Sequence, residues 1–270
     1  MRQPLDAATR ADLLRVAQGL ADAARPEALR HFRVAAEAQD KGPGPAGRFD
    51  PVTEGDRAAE RAMRAVLARD RPGDAILGEE FGARDGTTGL TWVLDPIDGT
   101  RGYLAGTPTW GVLVGLVDAW GPILGVIDQP YIRERFLGGL GEARVEGPSG
   151  TAPLRARGPR PLGEAILLTT FPEVGSEAER AAFARVAERA RLVRYGMDCY
   201  AYALVAAGQV DLVIEAGLQA YDVVAPIAVV EAAGGVCTDW EGNPAHGGGR
   251  VLAAANPQVH AEALALLAGA

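Results

Sequence analysis

Leu13, Leu14, Val16, Ala17 and Leu20 recur at helical spacing opposite charged positions and predict a helix from Ala7 to about Ala24. Pro26 is expected to open a second helical piece ending near Gln39, and Asp40–Arg48, with three glycines and two prolines, reads as a loop. Thr53 is a suitable N-cap for a helix to about Ala68, with Asp56 at the third helical position in a capping-box arrangement. Ala75–Leu77 and Trp92–Leu94 are short apolar runs, read as strands. Trp110–Val117 and Ile123–Ile127 are longer runs separated by the hairpin signature Asp118-Ala119-Trp120-Gly121-Pro122, and Glu134–Gly138 would complete a meander.

The glycine-, proline- and arginine-rich stretch 141–160 reads as a joint between two halves. Beyond it, strands are expected at 165–170, 192–195, 210–215 and 251–254. Helices are expected from Ser176 to about Ala190, from Cys199 to Ala207 with Asp198 as cap, from Asp222 to about Ala233, and from Asn256-Pro257 onward. The mixture of hairpins and alternating elements predicts an α+β protein of stacked sheet and helix layers rather than a regular doubly wound sheet. We read residues 1–270 as a single unit, with halves dividing near residue 143.

Composition narrows the function. A chain of 270 residues, 48% of them hydrophobic, can bury a sizeable core. A formal net charge of -8 offers no basic footprint for nucleic acid or an anionic membrane. No apolar run approaches the roughly eighteen residues of a membrane span, and the polar start of the chain lacks a signal peptide's apolar region. Cys199 and Cys237 lack metal-ligand spacing and read as buried thiols, so a cytoplasmic location is expected. His31, His246 and His260 lie away from every motif and are expected on surfaces or helix faces.

The candidate chemistry centres on Trp92-Val93-Leu94-Asp95-Pro96-Ile97-Asp98-Gly99-Thr100. A buried strand ends in two carboxylates held on a stiff turn, which repel unless a cation lies between them. Oxygen-only ligands favour a hard ion such as Mg2+, and a turn opening a helix suits phosphate. Gly78-Glu79-Glu80, Glu215 and Asp222 deliver further carboxylates at the ends of other elements. Helix capping is the competing account of Thr53, Asp56, Asp198 and Asp222.

Four separated pieces, Asp50-Pro51-Val52-Thr53, Gly78-Glu79-Glu80, Asp95-Pro96-Ile97-Asp98-Gly99-Thr100 and Tyr221-Asp222, together resemble the inositol monophosphatase family of Mg2+-dependent, lithium-sensitive phosphatases. The segments Asp98–Tyr103, Gly106–Gly111, Asp128–Tyr131, Glu134–Phe136, Arg194–Tyr202 and Glu215–Leu218 are similar to its bacterial histidinol-phosphatase branch, which acts in histidine biosynthesis. The loop Gly42–Gly47 departs from the common pattern in length, and Met197 stands where many relatives carry a smaller residue. The resemblance implies a layered α-β-α-β-α sandwich, usually a homodimer, acting on a small phosphomonoester.

It also implies roles. Glu79, Asp95, Asp98, Asp222 and the Ile97 carbonyl oxygen would hold two or three Mg2+ ions. Glu79 and Thr100 would activate the attacking water, with Asp50 orienting the Thr100 hydroxyl, and Gly99 and Thr100 would receive a phosphate oxygen. Asp198 and Glu215 are expected to read a cationic alcohol. Inositol, sugar or nucleotide phosphates are the alternative substrates. A regulatory binding protein is a further alternative, opposed by the intact acidic set.

Overall fold

Leu13, Val16, Ala17, Leu20, Ala21, Ala24 and Ala28 form one fully buried stripe along helix α1 (Ala7–His31), spaced three or four apart. Asp6 caps its start through the Thr9 N–H. The sequence reading ended this helix near Ala24; in the computed structural model, which describes residues 5–34, 38–43 and 49–268, it runs unbroken through Pro26. Proline costs one backbone hydrogen bond there, and the buried alanines on either side hold both segments against the sheet. Helix α2 (Glu54–Asp70) packs beside α1 and begins with the expected Thr53–Asp56 capping box.

Between α1 and α2 stand β1 (Gln39–Pro43) and β2 (Phe49–Val52), an antiparallel pair where the sequence reading had a loop. The first large sheet contains β3 (Ala75–Gly78), β4 (Gly82–Arg84), β5 (Thr91–Asp98), β6 (Gly111–Asp118), β7 (Gly121–Gln129), β8 (Glu134–Gly139), β9 (Glu142–Gly147) and β10 (Gly150–Pro153). Their spatial order is β10-β9-β8-β7-β6-β5-β3-β4. The stretch read as a joint thus holds the β9–β10 hairpin, whose half-buried and exposed positions carry no apolar alternation for the sequence to show. Only β3 and β5 pair in parallel within this sheet, and their register sets Gly78 opposite Leu94.

The second sheet is ordered β12-β11-β13-β15-β14, from β11 (Ile166–Thr169), β12 (Leu192–Tyr195), β13 (Leu212–Leu218), β14 (Val236–Thr238) and β15 (Gly249–Ala254). Helices α5 (Asp198–Ala206) and α6 (Ala220–Ala232) lie between the sheets, which is why α6 carries eight consecutive buried residues, Val223–Val230, rather than one apolar stripe. Helices α4 (Glu177–Ala187) and α7 (Pro257–Leu267) cover the far face of the second sheet. The chain is therefore an α-β-α-β-α sandwich, with an apolar cluster at each sheet–helix junction. Among the described residues, no helix is long and apolar enough to cross a membrane.

Candidate active site

The parallel pairing of β3 and β5 brings two acidic strand ends side by side. The Glu79 N–H donates to the Leu94 carbonyl at 3.1 Å, so Glu79 follows its strand as Asp95 follows Leu94. Asp95 is buried, and its Oδ1 accepts the Ile97 N–H at 3.1 Å, closing the turn at Pro96. Gly99 then adopts φ 83°, a left-handed conformation that favours glycine, before the short helix α3 (Thr100–Leu104). From the middle layer, α6 supplies Asp222. It occupies the third helical position rather than the cap, because the helix begins two residues earlier, at Ala220. Its Oδ2 accepts the Gln219 N–H at 2.6 Å.

Asp95, Asp98 and Asp222 each present a carboxylate oxygen within 4.8 Å of the other two. Asp95 is held well above the usual carboxylate range, first by burial and then by the charges of Glu79, Asp98 and Asp222. Asp98 is raised likewise, by burial and by Asp198 and Asp222, although its Oδ2 accepts the Cys199 N–H at 2.6 Å. Glu79 Oε2 is buried inside this group. Carboxylates that raise one another's pKa values form a set that a hard divalent cation satisfies, because its oxygens are all-anionic and convergent. An ion of the Mg2+ kind fits.

Thr100 Oγ1 donates to the Ile97 carbonyl at 3.1 Å and lies 3.4 Å from Asp56 Oδ1. Asp56 was read as a capping residue, and it is one: its Oδ2 accepts the Thr53 N–H at 2.8 Å and the Thr53 hydroxyl at 2.5 Å. Its second oxygen nonetheless faces Thr100, the role expected of Asp50. The side chain of Asp50 and the 44–48 part of the loop lie outside the described residues.

A cavity of about 1050 Å3 opens from this cluster toward the second sheet, lined by Glu79, Asp95, Asp98, Gly99, Thr100 and Asp222 at one end. Asp198, Glu215, Phe171 and Tyr202 line it further on. Asp198 does not cap α5: Met197 holds the cap position, and the Asp198 carboxylate turns instead to the Thr109 hydroxyl at 3.2 Å. Its backbone has φ 47°, uncommon for a residue with a side chain, and a Cβ on Gly99 would lie 2.6 Å from its Cγ. Burial raises its pKa, opposed by the Thr109 hydrogen bond and the Arg101 charge. Arg101 stacks 5.0 Å from the centroid of the Phe171 ring.

Glu215, 6% exposed, accepts the Thr170 N–H at 3.0 Å and the Thr170 hydroxyl at 2.5 Å on one oxygen, and the Tyr202 hydroxyl at 2.8 Å on the other. A carboxylate has about four lone-pair sites, so one remains after these three. Thr170 and Tyr202 lie in segments the sequence reading named, but neither was a candidate site residue there. Tyr202 is part of an apolar helix, and only the fold turns its hydroxyl toward β13. Trp110 and Tyr103 are buried and join Phe32 in an aromatic cluster. His260 lies on a helix face, the buried side of α7, with Nε2 2.8 Å from the Thr238 hydroxyl.

Residues 9–269 match the inositol monophosphatase family. The chain belongs to that family. It is 41% identical over 230 residues to the bifunctional phosphatase IMPL2 of Arabidopsis thaliana, a match covering 84% of this chain and 64%, somewhat under two thirds, of that protein's length. It is 36% identical to a histidinol-phosphatase of Mycobacterium tuberculosis, covering 80% of this chain and 84% of that one. Among solved structures, an inositol monophosphatase from Zymomonas mobilis superposes with a TM-score of 0.83 at 36% identity, over 95% of this chain and 98% of that one. Members of this family are metal-dependent phosphatases of small phosphomonoesters, and this chain carries an acidic cluster with a cavity beside it.

Proposed function

We propose that this chain hydrolyses L-histidinol phosphate to L-histidinol and phosphate. The observation that carries this reading is the second acidic wall of the cavity, Asp198 and Glu215, beyond the cluster that would meet the phosphate. Histidinol bears an ammonium and an imidazole, and fixed carboxylates suit such a leaving group better than they suit an uncharged polyol. The Thr170 and Tyr202 hydrogen bonds support it, because they orient Glu215 before substrate arrives.

In this reading Glu79, Asp95, Asp98, Asp222 and the Ile97 carbonyl would hold two or three Mg2+ ions. Bound Mg2+ supplies charge neutralisation and polarisation along the in-line displacement. Glu79 takes the proton of the attacking water. Thr100, its hydroxyl set between the Ile97 carbonyl and Asp56, aligns that water, with Asp50 as a further orienting candidate. The Gly99 and Thr100 amides receive a phosphate oxygen. No covalent intermediate is required. The same reading takes the protein as a cytoplasmic, lithium-sensitive homodimer.

Inositol 1-phosphate is the second reading, favoured by the equal 36% identity to the histidinol-phosphatase and to the inositol monophosphatase. Phosphate release with Mg2+ across histidinol phosphate, inositol 1-phosphate, fructose 1,6-bisphosphate and adenosine 3′,5′-bisphosphate separates the two. A dominant histidinol phosphate rate is expected; an inositol-led or flat profile would defeat the assignment.

A further inference from the structure

Glu60, on α2, is fully buried and belongs to none of the roles assigned above. Its Oε2 accepts the Glu80 N–H at 2.7 Å, and its Oε1 accepts the Phe81 N–H at 3.3 Å and Arg64 Nε at 2.7 Å. Arg64 also donates to the Gly82 carbonyl, and its guanidinium lies 5.9 Å from the centroid of the Phe81 ring. The turn between β3 and β4 is thus strapped to α2 by a charged acceptor holding two consecutive amides, directly after Glu79. Gly78 is the residue this packing requires, since a Cβ there would overlap Glu60 Oε1.

The same helix meets the other half of the water-activating pair. Asp56 and Glu60 stand one turn apart on α2, an i,i+4 spacing that places both on one face. Asp56 faces the Thr100 hydroxyl, and Glu60 holds the amides that follow Glu79.

We propose that Glu60 is a positioning residue that fixes Glu79 for metal and water, so that α2 sets the separation between Glu79 and Thr100. The inference rests on the reading of Glu79 as a metal ligand. Hydrogen-bond partners behind a ligand contribute about 10- to 100-fold to metal affinity or activity.

The test uses the full chain and Mn2+ as the probe, with binding followed by electron paramagnetic resonance and turnover followed with p-nitrophenyl phosphate. Glu60→Gln sets an NH2 group against one of the two backbone amides. It is expected to weaken Mn2+ binding about tenfold and lower kcat by about 10- to 100-fold, with KM little changed. Gly78→Ala displaces the same carboxylate while keeping its charge, and is expected to reproduce the pattern; circular dichroism establishes that each variant is folded. Folded variants that bind Mn2+ and turn over like the wild type would overturn this proposal alone. A wild-type protein that binds no Mn2+ would overturn the metal reading beneath it.

Discussion

Replacing Asp98 with asparagine separates two effects that a metal site couples. The oxygens of Asp95, Asp98 and Asp222 lie within 4.8 Å of one another. At 4.8 Å and an effective dielectric of about 20, two unit charges repel by about 3.5 kcal/mol, so two neighbours place about 7 kcal/mol on a fully ionised Asp98. Protonation within the cluster relieves most of that load without metal, because burial and mutual repulsion raise both Asp95 and Asp98. Asparagine removes the charge, keeps the volume and still offers an oxygen to the Cys199 N–H. With metal chelated, the variant is therefore expected to be more stable than the wild type by about 1–3 kcal/mol, the part of the repulsion that protonation leaves. With Mg2+ present that advantage is cancelled or reversed. A ligand at about a hundred times its Kd stabilises the fold by about 2.7 kcal/mol, and the variant forfeits most of this along with its phosphatase activity. Urea unfolding by circular dichroism, in chelator and in saturating Mg2+, reads both arms. A variant less stable than wild type in chelator, or one that Mg2+ stabilises equally, would refute the reasoning.

Asp198→Asn is expected to lower kcat/KM for histidinol phosphate by about 10- to 100-fold while leaving p-nitrophenyl phosphate hydrolysis within a few fold; equal losses on both would end its selective role. Burial raises the Glu215 pKa, so its contribution to stability is present below the unfolded value near 4.5 and is lost as pH rises through the higher folded value. Glu215→Gln is accordingly expected to gain on the wild type in metal-free unfolding as pH rises above about 4.5, and parallel curves would contradict this. Asp74 is buried and accepts the Trp92 indole N–H at 2.9 Å and the Thr88 hydroxyl at 2.6 Å, so Asp74→Ala is expected to destabilise by about 3 kcal/mol in denaturant melts without changing substrate preference.

Much of the fold was legible because its signals are local. Thr53, Ser176 and Asn256 announce helix starts through short-range caps, and the structure uses all three. The strand runs around Asp95 and at 111–127 are apolar because both faces of the sheet are covered. The misreadings have non-local causes. Pro26 does not break α1, because buried alanines on both sides hold it. Glu60 was passed over although a signal existed. It adjoins Ala59 and shares the buried face with Met63 and Leu67, and a carboxylate on an apolar arc needs a partner. Sequence spacing showed the oddity but not the amides of Glu80 and Phe81 that resolve it.

The two ends of the cavity are built by different parts of the chain, and this bears on how substrate choice can change without loss of chemistry. The acidic cluster draws Glu79, Asp95 and Asp98 from the parallel pair β3 and β5, while α2 reaches Thr100 and the turn after Glu79. Asp198 and Tyr202 come from α5, Glu215 from β13 of the second sheet, and Thr170 directly follows β11. The two sets meet through the Cys199 N–H on Asp98, the packing of Asp198 against Gly99, and the charge that Asp198 places on Asp98. On the proposed reading, a substitution at Thr170 or Tyr202 is expected to alter the wall that meets the alcohol while leaving the oxygens of the acidic cluster in place. A change on α2 reaches Glu79 and Thr100 together. Related phosphatases on this scaffold would then diverge in substrate through the second sheet, and lose activity altogether through α2.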